Sequence, residues 1–414
     1  MAAPFSPLFS VSKQSGSTPD AKAYEVGPSE EARPLRVMQA AAFYPAYLDS
    51  FYRARPGLSL QSASRQAEEL LKDAFSAIHM VVPYIRGNGF ITEFFVHSAR
   101  PLQRAWAKEH GQSFPTAQWE EEMLRRRVEA WKPDVLYLTD ATRFDARFIR
   151  DLPWRPRLIM GWKGADVPFS TDWTGYDAIL SGLPRLLEAA ERMGARRGIL
   201  FHPGMPPWIA DAVVGIPQDT DVCFVGSIAP FQHDKRLALL DGLARAATTH
   251  GFSLALHLNC HSSLMTPAMR PYLREPVFGM AMHKALRRAR IVVDDRANHG
   301  IIMPDGSKKI DLGGGDTINM RMFEATGGGS LLLTEELPGL RRYFEPGKEV
   351  DTYTNPTQLM EKILYYLAHE ERRATIAEAG RHRCLTEHTM SNAVQRFVGI
   401  IQELLPLSLQ PSQP

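Results

Sequence analysis

Cysteine is nearly absent from this chain. The three present, Cys223, Cys260 and Cys384, lie far apart and form no CxxC pair, so neither a disulfide framework nor a zinc knuckle is expected, and a reducing compartment fits. Charge of either sign is not in excess: 48 Lys and Arg stand against 46 Asp and Glu, a net +2. That balance offers no broad attraction to nucleic acid or to an anionic membrane. No run approaches the ~18 to 20 apolar residues of a membrane helix, and no fixed-period repeat points to a solenoid. Residues 1–33 are rich in Ser, Pro, Gly and Glu without the apolar core of a signal peptide, and read as a flexible leader. The expectation is a cytoplasmic protein with no membrane span and no nucleic-acid partner; oligomeric state is not legible.

What is present is alternation. With 414 residues and 44% apolar side chains, the chain exceeds the roughly 250 to 300 residues at which single cores divide. From Leu35 onward, short apolar runs alternate with amphipathic segments, as in βαβ units around parallel sheets. First-half strands are expected at 35–41, 78–82, 91–96, 135–139, 158–161, 178–181 and 198–201, with covering helices at 59–77 and 116–131. After the Pro-rich step at 202–207 the alternation restarts, with strands at 222–225, 254–258, 291–293, 331–333 and 350–353. An α/β protein of two Rossmann-like domains facing a cleft follows, divided as 34–210 and 218–388. A closing helix over 389–405 is expected to cross back to the first domain, ahead of a tail over 406–414. Asn355, Pro356 and Gln358 supply an N-cap, a first-turn proline and a capping-box partner, so a helix begins at Pro356.

The segment from Gly313 to Glu335 carries the chemistry. Glycines 313 to 315 let backbone approach a ligand closely, and a helix starting near Thr317 or Ile318 would aim its free N–H groups at an anion such as a pyrophosphate. Asp316 precedes that helix and Glu324 lies about two turns into it, so the two carboxylates could hold sugar and ribose hydroxyls. Glycines 327 to 329 then end the helix. The other reading is that Glu324 salt-bridges its own helix while the glycines pack helix on strand.

Here the chain resembles the CgeB-like (spore-maturation-protein) glycosyltransferases, close to the retaining glycosyltransferase family 4 with its GT-B fold. The resemblance rests on Asn319-x-Arg321-x-Phe323-Glu324 with its glycines, Leu331 to Glu335, Phe344-x-Pro-Gly347-x-Glu349, Tyr365-Tyr-Leu-x-His369 and Ala377-x-x-Gly380-Arg-x-Arg383 through Thr389. It covers about 220 to 400 well, and the first half only through Tyr176-Asp177. By this resemblance Asp316, in place of the family's longer acid, would meet the transferred sugar, Glu324 the ribose, and the backbone at Gly315, Thr317 and Ile318 the phosphates, with Asn319 and Arg321 beside them. It implies a nucleoside diphosphate sugar as co-substrate, no cofactor, no metal, retention of configuration, and a glycan, glycoconjugate or protein acceptor in bacterial glycan biosynthesis.

Other candidates follow from position. Lys235 and Arg236, in the loop and helix after Gly226, are placed to balance a departing diphosphate; two solvated helix charges are the alternative. Asp294-Asp295 ends an apolar strand and is not taken as a metal site. Residues 301–310 read as a hairpin around Asp305-Gly306. Trp162, Asp166 and Tyr44, with Tyr47 and Asp49, are acceptor-side candidates at the C-terminal edge of the first sheet. The arginine clusters 125–127, 287–288 and 372–373 read as solvated surface. A catalytically silent sugar-nucleotide sensor or scaffold, or a sugar-nucleotide epimerase, would use the same fold.

Overall fold

The computed structural model describes residues 33–87, 89–228, 233–297, 299–313 and 319–408, with side chains to residue 406. Fifteen strands are described. They are β1 (Leu35–Ala41), β2 (Phe90–Val96), β3 (Val135–Leu138), β4 (Leu158–Trp162), β5 (Val167–Pro168), β6 (Ala178–Ser181), β7 (Gly198–Leu200), β8 (Thr220–Ser227), β9 (Leu254–Asn259), β10 (Leu273–Arg274), β11 (Ala289–Val293), β12 (Gly300–Ile302), β13 (Lys308–Asp311), β14 (Leu331–Glu335) and β15 (Asp351–Tyr353). They form two six-stranded sheets, ordered β2-β1-β3-β4-β6-β7 and β10-β9-β8-β11-β14-β15, and a third of three strands, β13-β12-β5. Both large sheets are parallel throughout. In each, the chain runs outward on one side of its first strand and then restarts on the other, the doubly wound pattern whose C-terminal edge binds ligands.

The central strands are buried along their length, as β3, β4 and β6 show, because helices cover both faces. The joining segment between the sheets carries the helix Pro207–Val213. Its start lies against the return of the chain: Met205 N–H donates to His388 O at 2.8 Å and Met390 N–H to Met205 O at 2.9 Å. Gly204 permits this crossing, since a Cβ there would stand 2.2 Å from the Thr389 carbonyl oxygen. The helix Met390–Ser408 then crosses to the first lobe, where Phe397 packs on Tyr137 with centroids 4.9 Å apart and Ala393, Ile401 and Leu404 join the same apolar cluster. The helix Pro356–Ala368 starts where expected, with Asn355 Oδ1 accepting the Gln358 N–H at 3.0 Å.

Some expectations fail. Residues 78–82 form no strand; two 3-10 turns, Ala77–His79 and Val82–Tyr84, fold there instead. Gln39 of β1 accounts for this, because its side chain donates to His79 O at 2.7 Å and accepts the Val82 N–H at 3.0 Å, satisfying backbone groups that a strand would have paired. The expected 59–77 helix is shorter, Ala63–Lys72, capped by Ser62 and followed by Ala74 at φ +63°. Two of the supposedly solvated arginines are buried. Arg127 is 5% exposed between the Phe95 and Trp106 rings, and Arg373 donates to Tyr366 O at 3.1 Å; stacking and a carbonyl acceptor replace the water that a guanidinium otherwise needs. Among the described residues no helix is long and apolar enough to cross a membrane.

Candidate functional site

The C-terminal ends of β8, β11 and β14 bring together most of the second-lobe candidates. The expected helix start at Thr317 or Ile318 is corrected: the helix runs Arg321–Gly328, so Glu324 lies in its first turn and not two turns in. It ends at Gly329 with φ +82°, the left-handed C-cap that glycine supplies without strain. Gly315, Asp316, Thr317 and Ile318 lie outside the described residues.

Three acid–base pairs line this edge. Arg321 Nη1 donates to Glu324 Oε2 at 2.7 Å and Nη2 to the Val225 carbonyl at 3.2 Å, tying the helix to β8. Glu324 is 9% exposed; burial raises its pKa and Arg321 partly offsets the rise. The intrahelical salt bridge weighed from sequence is therefore present. Tyr44 of the first lobe, 60% exposed, has its phenol pKa raised by surrounding protein and, second, by the Glu324 charge.

Arg236 is the second pair. Nε donates to Asp295 Oδ2 at 3.3 Å, Nη2 to Asp295 O at 2.6 Å and Nη1 to Ser227 O at 2.8 Å, close to Gly226. It is 8% exposed, and at least three of the five N–H groups of a guanidinium are taken within its own lobe. Lys235 is the third. It pairs with Glu335 and is 65% exposed on its side chain, a surface pair worth about 0–1 kcal/mol and easily exchanged. Of the two cations proposed for a diphosphate, Lys235 is the one able to turn to a ligand; Arg236 is an anchor.

Asp294 is not a free metal ligand. Its carboxylate accepts Asn319 Nδ2 at 2.9 and 2.8 Å and Thr334 Oγ1 at 3.1 Å, and its carbonyl accepts the Tyr353 hydroxyl at 2.7 Å. Asn319 thus braces the strand end, while its buried Oδ1 has no partner among the described residues. Asp295 keeps one buried oxygen without a partner among the described residues, and burial, then Glu335, lifts its pKa to about 6 against the pull of Arg236. This network of Asp294, Asn319, Thr334 and Tyr353 escaped the sequence reading. Its one trace was the polar ending of two apolar strands, Asp294-Asp295 and Thr334-Glu335.

On the first lobe, the acceptor-side candidates separate. Trp162 is 9% exposed and sits in the apolar cluster with Val82 and Phe201, so it offers no open stacking face. Tyr47 is buried, its hydroxyl donating to Asp73 Oδ2 at 2.9 Å. Asp166 is occupied by the Gly300 N–H, Lys308 and His299. Asp49 lines a cavity of about 470 Å³ with Phe43, Pro45, Tyr52, Trp119 and Glu120, at the ends of β1 and β2. Glu120 is held by His97 Nδ1 at 3.0 Å and Arg143 at 3.4 Å. Trp119 and Glu120 carried no sequence signal, because only the fold brings residues 43–53 and 119–120 to one wall.

Residues 237–399 match the family model described as glycosyl transferase-like. No curated protein matches the chain in sequence. Among solved structures, a glycosyltransferase from Rickettsia africae superposes with TM-score 0.56 at 8% identity over 90% of this chain and 99% of that one. HepE of Anabaena, in complex with UDP and glucose, gives 0.52 at 10% over 89% and 100%, and sucrose-phosphate synthase from Thermosynechococcus elongatus 0.50 at 10% over 90% and 100%. The chain therefore has the GT-B fold of two Rossmann-like lobes, with a glycosyl transferase-like domain beginning in its second lobe.

Proposed function

We propose that the protein transfers a sugar from a nucleoside diphosphate sugar, held by the second lobe, to an acceptor hydroxyl presented by the first. One observation carries the reading: Glu324, in the first turn of its helix and braced by Arg321, which is itself tied to the Val225 carbonyl of β8, stands at the C-terminal strand edge where doubly wound sheets bind ligands. A carboxylate fixed there suits a ribose diol, as the resemblance to CgeB-like and family 4 enzymes implies. The family-model match and the HepE complex with UDP and glucose support the donor class.

In this scheme Lys235 leaves Glu335 to meet the diphosphate, and Arg236 keeps the Asp295 loop in place. The first-lobe cavity beside Asp49, Trp119 and Glu120 receives the acceptor. Transfer proceeds with retention and without an essential metal, the departing phosphate taking the acceptor proton. A cytoplasmic setting belongs to the same proposal.

Calorimetric titration with UDP, GDP, dTDP and CMP, then incubation with the sugar of the nucleotide that binds, tests this. Binding of one nucleotide, weakened at least tenfold by Glu324→Ala, is expected. Failure of all four to bind refutes the proposal, and an epimerised sugar formed from donor alone would replace it with the epimerase reading.

A further inference from the structure

The Gly300–Asp311 hairpin follows β11 of the second sheet in the chain, yet it is anchored in the first lobe. Ile301 and Ile302 of β12 pair in parallel with Val167 and Pro168 of β5. Phe169 N–H donates to Ile302 O at 2.8 Å and Arg185 N–H to Leu312 O at 3.2 Å. Ile301 and Leu312 are buried in the first-lobe cluster that includes Phe144, Tyr176 and Leu183.

Asp166 heads this junction. One carboxylate oxygen accepts the Gly300 N–H at 2.8 Å and lies 3.7 Å from His299 Nδ1, and the other lies 2.8 Å from Lys308 Nζ. Burial opposes the charge, but His299, Lys308 and the Gly300 amide outweigh it and bring the pKa to about 2, so the group is ionised at neutral pH. His233 of the second lobe is affected by the same groups: burial, then Arg236, His299 and Lys308, lower its pKa to about 4.

The hairpin is also strained. Its register slips between Gly300 and Ile301, leaving Ile310 as an extra residue with φ +63°. A β-branched side chain holds that conformation only where its surroundings over-determine it. In sequence, Leu312 and Gly313 come next, ahead of the segment that holds Asn319, Arg321 and Glu324.

We infer that Asp166 is a positioning residue: by clamping the 300–311 hairpin to the first lobe, it sets where the chain enters the Asn319–Glu324 segment of the second. The inference rests on the proposed function only for what that segment binds. The carboxylate placed from sequence on the acceptor side thus acts on the donor side, through the hairpin.

The test is hydrogen exchange of the full chain, read at amides 300–313 and 319–324, with UDP affinity measured in parallel. Asp166→Ala is expected to exchange at least tenfold faster there, with the amides of β8 and β3 unchanged. Asp166→Asn is expected to fall between, since its amide oxygen still accepts the Gly300 N–H. Wild-type exchange at these amides overturns the clamp. So does acceleration spread evenly over both lobes, the signature of a general loss of stability. Should Asp166→Ala fail to fold, Lys308→Met carries the same test. Exchange needs no ligand, so a wild-type protein that binds no UDP would count against the donor reading for that nucleotide and leave the clamp testable. UDP binding with unchanged exchange would refute the clamp alone.

Discussion

Arg236 grips Asp295 twice, through the carboxylate from Nε at 3.3 Å and through the backbone carbonyl from Nη2 at 2.6 Å. The guanidinium therefore holds the loop that follows β11, one residue past the Asp294 that Asn319 braces.

Removing one partner of a buried ion pair leaves the other charge uncompensated, at a cost of about 3–5 kcal/mol. Arg236→Ala should lower stability by that order in urea melts. Lys235→Ala, at an exposed pair, should change stability by less than about 1 kcal/mol while lowering kcat about 10²-fold if it meets the departing phosphate. Equal melts for the two variants would contradict the division between anchor and ligand cation.

Asp295 makes stability pH-dependent with an unusual sign. Its pKa rises from 3.8 to about 6 in the folded chain, so between those values the folded state holds a proton that the unfolded state has released. Stability from this group is therefore lost as pH rises through that window, by about 2–3 kcal/mol. Measured against Asp295→Asn, wild type should lose that amount between pH 4 and pH 7. A difference constant with pH would show that Asp295 is ionised throughout.

Trp119 is half-buried on the wall of the first-lobe cavity beside Asp49 and Glu120. Trp119→Ala should raise acceptor KM about tenfold and leave nucleotide affinity unchanged, since removing a stacking ring costs roughly 1–3 kcal/mol of binding. Loss of nucleotide affinity with acceptor KM unaltered would move the acceptor elsewhere.

Gly204→Ala would drive a methyl group into the Thr389 carbonyl at 2.2 Å. Overpacking by backbone contact costs about 1–3 kcal/mol, and the helix Met390–Ser408 should be the first element to loosen. Hydrogen exchange confined to residues 201–206 and 389–405 would show this. A variant as stable as wild type would mean that the crossing relaxes freely.

The parts legible in sequence were those set by local chemistry. The β3, β4 and β14 runs are continuous apolar stretches that suit a buried parallel strand, and the Asn355-Pro356-x-Gln358 signature favours a helix start. The 78–82 run was misread because a short apolar stretch beside a proline serves a strand or a buried turn equally, and the arbiter, Gln39, lies 40 residues away. The helix phase of Glu324 was not legible, since glycine permits a helix to start anywhere over several residues.

By itself, the order of apolar runs, caps and glycines determined that the chain would build two parallel sheets with helices between them, because strand burial and helix capping act over a few residues. Tertiary structure alone decided which charges meet. It gave Arg236 to Asp295, Arg321 to Glu324 and Asp166 to a hairpin more than 130 residues on. Buried charges take whichever opposite partner the packing brings within about 3 Å, and no local pattern encodes that distance.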